Sequence, residues 1–169
     1  MNADDLRNLQ APLKEQYREN PGSALITLKA TGTIGKGISC KLDTGRAMVE
    51  AGLHPATGGN GMLACSGDLL LEALVACAGV TLSAVATAIG VEMTGGSIRA
   101  EGDLDFRGTL GVSKETQVGF KNIRLFFDLN TKATPEQMQS LEKLTERYCV
   151  VYQTLVNGVS VESRFQITS

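Results

Sequence analysis

Residues 54–90 read HPATGGNGMLACSGDLLLEALVACAGVTLSAVATAIG, and the interpretation of this stretch decides the fold. Its opening, 54–66, is a Gly-rich loop. From 67 to 89 the chain runs through Leu, Val and Ala without a proline, which predicts one long helix. Ser66 suits the N-cap, Asp68 places a negative charge in the first turn, and Gly90 is the stop. The helix is apolar on nearly every side, so it must be covered all round. Glu72, Thr81, Ser83 and Thr87 interrupt the run, which favours a buried helix over a membrane span.

Working outward, residues 23–53 are strand-like: ALITLKAT, then GISCKLD, then RAMVEAGL. Gly32, Gly35, Gly37 and the Asp43-Thr44-Gly45 step mark the turns of a three-stranded meander. Downstream, 97–106 and 120–129 form a further pair of strands, joined across the polar stretch 107–119. Thr134-Pro135-Glu136-Gln137 is the clearest local signal: Thr134 caps, Pro135 takes the first helical position and Gln137 completes a capping box. This second helix is expected to reach about Asn157 and stop at Gly158. VSVESRFQIT closes the chain as a strand with Val159, Val161, Ser163 and Phe165 on one face. Residues 1–21 form an N-terminal helical extension, with Leu6, Leu9, Leu13 and Tyr17 at helical spacing. Residues 22–169 make one domain.

The order β-β-β-α-β-β-α-β, with hairpin-linked strands and segregated helices, predicts an antiparallel α+β fold. One meander and one hairpin are too little cover for so apolar a helix, so a second subunit is expected to complete its burial. The composition is that of an ordinary globular chain, 43% hydrophobic and 20% charged, with a net charge of −2 and no basic run. Nothing attracts nucleic acid or anionic lipid. The polar N-terminus is not an export signal, so a cytoplasmic protein with reduced cysteines is expected. With four cysteines, none in CxxC spacing, and a single histidine, no metal or cofactor site is expected.

Cys77 lies in the middle of the first helix, with Leu70, Leu74, Thr81 and Ala84 on its side. Cys149 lies in the second helix, 72 residues later. Each alone could pack as a small hydrophobe, since thiolate chemistry needs a nearby positive charge or a helix N-terminus. Cys40, alternating with Ile38 and Leu42, is expected in the core. Cys65, just before the helix, is a loop thiol. His54 is a solvated loop imidazole with an outside chance of serving as a base. GGNG (58–61) lacks phosphate-loop spacing and is read as a turn.

GGNG (58–61), DLLLEALVACAGVTLSAVATAIGV (68–91) and TERYCVVYQTL (145–155) together resemble the OsmC/Ohr family over roughly 25–168. The resemblance implies a swapped homodimer, with antiparallel sheets around two long central helices and active sites at the subunit interface. It implies a cysteine-based peroxidase, in oxidative-stress defence, that reduces small hydrophobic organic hydroperoxides. Cys77 would be the nucleophile and Cys149 the resolving thiol, with a dithiol such as a lipoyl protein as reductant. Three features depart from the family pattern. Lys36 or a glycine stands near the family's Arg. Gly67, followed by Asp68, stands at its Glu. Val150 replaces the proline that commonly follows the second cysteine. Lys36, or Arg46 or Arg147, would then supply the cation, and Asp68 or Glu72, the latter from the partner chain, would orient it. Without that Arg–Glu apparatus the alternative is a non-enzymatic, small-molecule-binding or redox-sensing dimer.

Overall fold

The structure is a computed structural model describing residues 2–5, 7–8, 10–11, 19–20, 31–34, 39–43, 48–111 and 113–167. Residues 3–5, 7–8 and 10–11 are helical, while Leu6, Leu9, Leu13 and Tyr17 lie outside the described residues. Strands β1 (Thr31–Ile34), β2 (Ser39–Asp43) and β3 (Met48–Gly52) form the expected meander, antiparallel throughout, with Ile34 opposite Cys40 and Cys40 opposite Ala51. β1 takes up Gly32, which had marked a turn, and residues 24–30 of ALITLKAT lie outside the described residues. A two-residue strand, β4 (Ala64–Cys65), pairs parallel to β3 at the end of the Gly-rich loop. Periodicity cannot reveal so short an element.

Helix α1 (Ser66–Ile89) follows at once. Its N-cap is Cys65, not Ser66, because β4 holds Cys65 extended at φ −80°, ψ 134° and the helix starts one residue early. Gly90 ends it at φ +72°, a left-handed conformation in which a glycine pays no Cβ penalty. By length and composition alone α1 is apolar enough to cross a membrane. Here it packs against the second sheet and the two later helices. That sheet is the hairpin of β5 (Met93–Leu104) and β6 (Phe120–Thr131), longer than predicted and bridged by a short helical turn, α2 (Phe106–Thr109).

The alternation of the hairpin separates its two faces. Ile98, Phe127 and Leu129 pack onto the core formed by Leu82, Val85, Ala86, Val91 and Leu141. Gly79 lets α1 approach closely: a Cβ there would stand 3.2 Å from the Ile98 methyl. On the other face Arg124 grips Asp103 at 2.5 and 2.8 Å, and Arg99 lies 4.1 Å over the Phe126 ring. Asp105 holds Arg107 and Lys121, and those cations keep its carboxyl well below the usual carboxylate range.

The capping box of α3 (Pro135–Tyr148) forms as read. The Gln137 N–H donates to Thr134 Oγ1 at 3.3 Å, and the Thr134 N–H donates to Gln137 Oε1 at 2.9 Å. The second helix, however, is not continuous. Cys149 is extended at φ −73°, ψ 109°, and a separate eight-residue helix, α4 (Val150–Asn157), starts after it. Two consecutive β-branched residues, Val150 and Val151, weaken helix propensity at this point, but neither forces a break. Beyond α4, residues 158–167 have no regular structure, and Val161, Phe165 and Ile167 stand exposed. The closing strand predicted there is not formed within the single chain.

Candidate functional site

The break at Cys149 builds the site. It makes Cys149 at once the residue after α3 and the N-cap of α4, while its own side chain caps neither helix. The Cys149 N–H donates to the Thr145 carbonyl at 3.0 Å, and its carbonyl accepts from the Gln153 N–H at 2.9 Å. Backbone bonds on both sides thus anchor a side chain that is 1% exposed. Cys77 stands mid-way along α1, and α1 packs on both α3 and α4. The two thiols, 72 residues apart in sequence, are close enough to shift each other's titration.

The effect is unsymmetrical. Burial pushes the Cys77 thiol up. The neighbouring Val151 backbone, the Cys149 thiol, the Val150 backbone and the Thr81 hydroxyl counter this, and the balance lowers it. Burial also raises Cys149, and the neighbouring Cys77 sulfur, as acceptor and as charge, raises it further against the Tyr152 and Val151 backbone. The two directions make Cys77 the more acidic thiol of the pair. A low thiol beside a high one is the arrangement in which one sulfur attacks and the other waits.

A cavity of about 1030 Å³ opens between β6 and helices α3 and α4, lined by Leu74, Leu125, Phe127, Leu141, Thr145 and Tyr152 among others; neither cysteine is part of its lining. Thr145, 3% exposed, has a hydroxyl with no partner among the described residues. A buried polar atom of this kind is available to a further group.

The other sequence candidates are elsewhere. Asp68 lies in the first turn of α1, nine residues and about 13 Å of helix before Cys77. With His54, Cys65, Asp103 and Phe106 it lines a separate pocket of about 380 Å³. Glu72 is exposed, about 140° around the helix axis from Cys77. Arg147 lies 5.6 Å over the Tyr148 ring. Lys36 and Arg46 are outside the described residues. His54, expected to be solvated, is half-buried and in use as a cap: Nδ1 accepts from the Ala56 N–H at 3.0 Å, and the ring stacks on Phe106. The following glycines are the turn that was read. A Cβ on Gly59 would meet the Leu53 carbonyl oxygen at 1.7 Å. Among the described residues no group of three His, Cys, Asp or Glu is placed to hold a metal ion.

Sequence reasoning named both cysteines but missed the influence on Cys77 of Thr81 and of the backbone at Val150 and Val151. Thr81 was legible as an i+4 neighbour of Cys77 on α1. The backbone carried no signal, since a helix start inside a capped, proline-free run has none.

The family model described as OsmC-like protein matches residues 59–164, a span holding both cysteines and the helices that carry them. No curated protein matches the sequence. Among solved structures, an OsmC-like protein from Mycoplasma pneumoniae superposes with a TM-score of 0.65 at 16% identity, covering 79% of this chain and 89% of that one. An organic hydroperoxide resistance protein OsmC from Legionella pneumophila gives 0.60 at 17%, covering 78% and 90%. The organic hydroperoxide resistance protein OhrB of Bacillus subtilis gives 0.52 at 23%, covering 79% and 92%. At these identities the structures speak for the fold, and the family model speaks for membership: the chain belongs to the OsmC-like protein family.

Proposed function

We propose that the protein is a thiol-dependent peroxidase that reduces organic hydroperoxides in the cytoplasm, with Cys77 as nucleophile and Cys149 as resolving thiol. The observation that carries this reading is the packing of α1, with Cys77 at its middle, against both α3 and α4, at whose junction Cys149 is buried; the two thiols then shift in opposite directions, Cys77 down and Cys149 up. The Cys77 thiolate attacks one oxygen of the hydroperoxide. An S–O bond forms, the O–O bond breaks, and the alkoxide leaves to take up a proton as the alcohol. The Cys77 sulfenic acid then meets the Cys149 thiol, an S–S bond forms and water leaves. An external dithiol restores both thiols by two exchanges and ends as its own disulfide. A resolving thiol already close by limits over-oxidation of the sulfenic acid.

The substrate class is supported by the names of two relatives of the same fold, organic hydroperoxide resistance proteins. The working unit in this reading is a homodimer. Support comes from α1, whose Ala73, Ala76, Val80 and Ser83 recur at helical spacing on an exposed face, and from the exposed apolar residues of 159–167. Glu72, exposed on α1, is then available to a second copy, and Lys36 remains a candidate cation beside Asp68 at the interface.

The test is consumption of tert-butyl hydroperoxide by the full chain with a dithiol reductant. Turnover that disappears in Cys77→Ser is the expected result. A chain that consumes no hydroperoxide, or a Cys77→Ser variant as fast as the parent, ends the proposal in favour of a non-enzymatic binding or redox-sensing protein.

A further inference from the structure

The cavity between β6 and helices α3 and α4, about 1030 Å³, is used by none of the chemistry assigned to the cysteines, since neither lines it. Its size is at the upper end of small-molecule cavities, about 300–1,000 Å³, and its build is theirs, an apolar interior with a few polar groups. Leu74 and Leu141, both buried, supply the interior together with Phe127 and Leu129. The charged groups are of one sign. Asp128, Glu136, Glu142 and Glu146 line the cavity, all exposed at its rim, and among the described residues no lysine or arginine does. Glu136 is committed at the start of α3, where it accepts from the Thr134 hydroxyl at 2.8 Å. Asp128, Glu142 and Glu146 enter no ion pair among the described residues. Glu142 and Glu146 stand one turn apart on α3, and Glu146 lies in its last turn. Like charges at that spacing and a carboxylate at a helix C-terminus both destabilise a helix, so α3 carries a cost that a bound cation relieves.

A second observation, independent of charge, comes from Thr145. It follows Glu142 by three residues and so neighbours that carboxylate on the helix surface. It lines the cavity, is 3% exposed, and its hydroxyl has no partner among the described residues. Buried hydroxyls rarely go without a hydrogen bond, and one in a cavity wall can be satisfied by what the cavity holds. Tyr152, also in the lining, senses the same carboxylates: burial first, then Glu146 and Glu142, push its hydroxyl up.

We propose that this cavity binds a small organic cation, an apolar chain or ring carrying an ammonium group, with the apolar part against Leu74, Phe127 and Leu141 and the ammonium held by Glu142, Glu146 and the Thr145 hydroxyl. The carboxylate rim repels an anion, and a purely apolar ligand leaves the Thr145 hydroxyl unpaired.

The experiment is isothermal titration calorimetry of the full chain with three eight-carbon probes, octylammonium, octanol and octanoate, at low salt. Octylammonium should bind about tenfold or more tighter than octanol, with octanoate the weakest. Glu142→Gln/Glu146→Gln, at two exposed positions, should weaken octylammonium by about tenfold and leave octanol unchanged. Thr145→Val should weaken octylammonium by about threefold to tenfold, with circular dichroism verifying that each variant folds as the parent does. Octanoate binding as tightly as octylammonium overturns the inference, as does either variant holding octylammonium like the parent. Absence of binding also overturns it and assigns the cavity to residues 159–167 or to a second copy of the chain. Cys77→Ser should bind octylammonium like the parent; a loss there would put the probe at the thiol pair and overturn the inference too. Binding is read without hydroperoxide, so this inference and the peroxidase reading fail separately.

Discussion

Cys65 and Cys77 belong to the same helix, and the difference between them runs against a simple rule. Cys65 is the N-cap of a 24-residue helix, the place where a dipole argument would look for a reactive thiol. Yet it lines a pocket with Asp68 and Asp103, two carboxylates, and makes no cap hydrogen bond. Cys77 sits in mid-helix, yet its thiol is lowered, because Cys149 and the backbone at Val150 and Val151, more than seventy residues away in sequence, are packed near it and outweigh its burial. In the proposed reading, what is packed around a sulfur counts for more than its rank along its own helix.

The most severe way to break this contrast is by substitution. Cys77→Ser should lower hydroperoxide consumption by about a thousandfold or more, as expected for loss of a nucleophile, while Cys65→Ser should remain within about twofold of the parent. Equal losses would put the two thiols in one site. Next in size is the labelling ratio. At neutral pH iodoacetamide should modify Cys77 at least about tenfold faster than Cys65, read by peptide mass spectrometry. Because the thiolate is the reactive form and Cys77 is lowered, its rate should rise with pH and level off earlier than that of an ordinary cysteine thiol.

Quaternary structure sharpens the contrast from another side. Val80, one turn after Cys77 on the uncovered face of α1, is 73% exposed in the single chain. In a monomer Val80→Arg would be a surface change worth less than about 0.5 kcal/mol. In the proposed dimer it buries a charge, and light scattering should report half the parent mass. An unchanged mass would move the interface off this face. The smallest expected effect is a control on distance. Thr134→Ala removes a cap and should cost about 1 kcal/mol by chemical denaturation, with Cys77 labelling unmoved.

The parts legible in the sequence share a physical origin. The end of α1 at Gly90, the capping box at Thr134 and the turn at Gly58 and Gly59 are each satisfied by hydrogen bonds within a few residues. Local residue types can announce such features. The misreadings were non-local. Ser66 lost the cap because β4 pairs with β3 and extends Cys65, a contact made across more than ten residues. His54 looked like a free loop imidazole because its stacking on Phe106, far along the chain, is not visible in composition. Residues 159–167 alternate apolar and polar as a half-buried strand should, but a strand needs an edge to pair with, and in the single chain they have found none.

The sequence by itself determined the α+β class and the two long helical segments that lead to Cys77 and Cys149, and through family resemblance it proposed those two cysteines as the pair. Tertiary structure alone decided that the second helix breaks at Cys149 and that α1 packs against both pieces. The reason lies in the range of the interactions. Periodicity and caps are settled by neighbours along the chain, whereas what surrounds a buried sulfur is chosen by how distant helices pack.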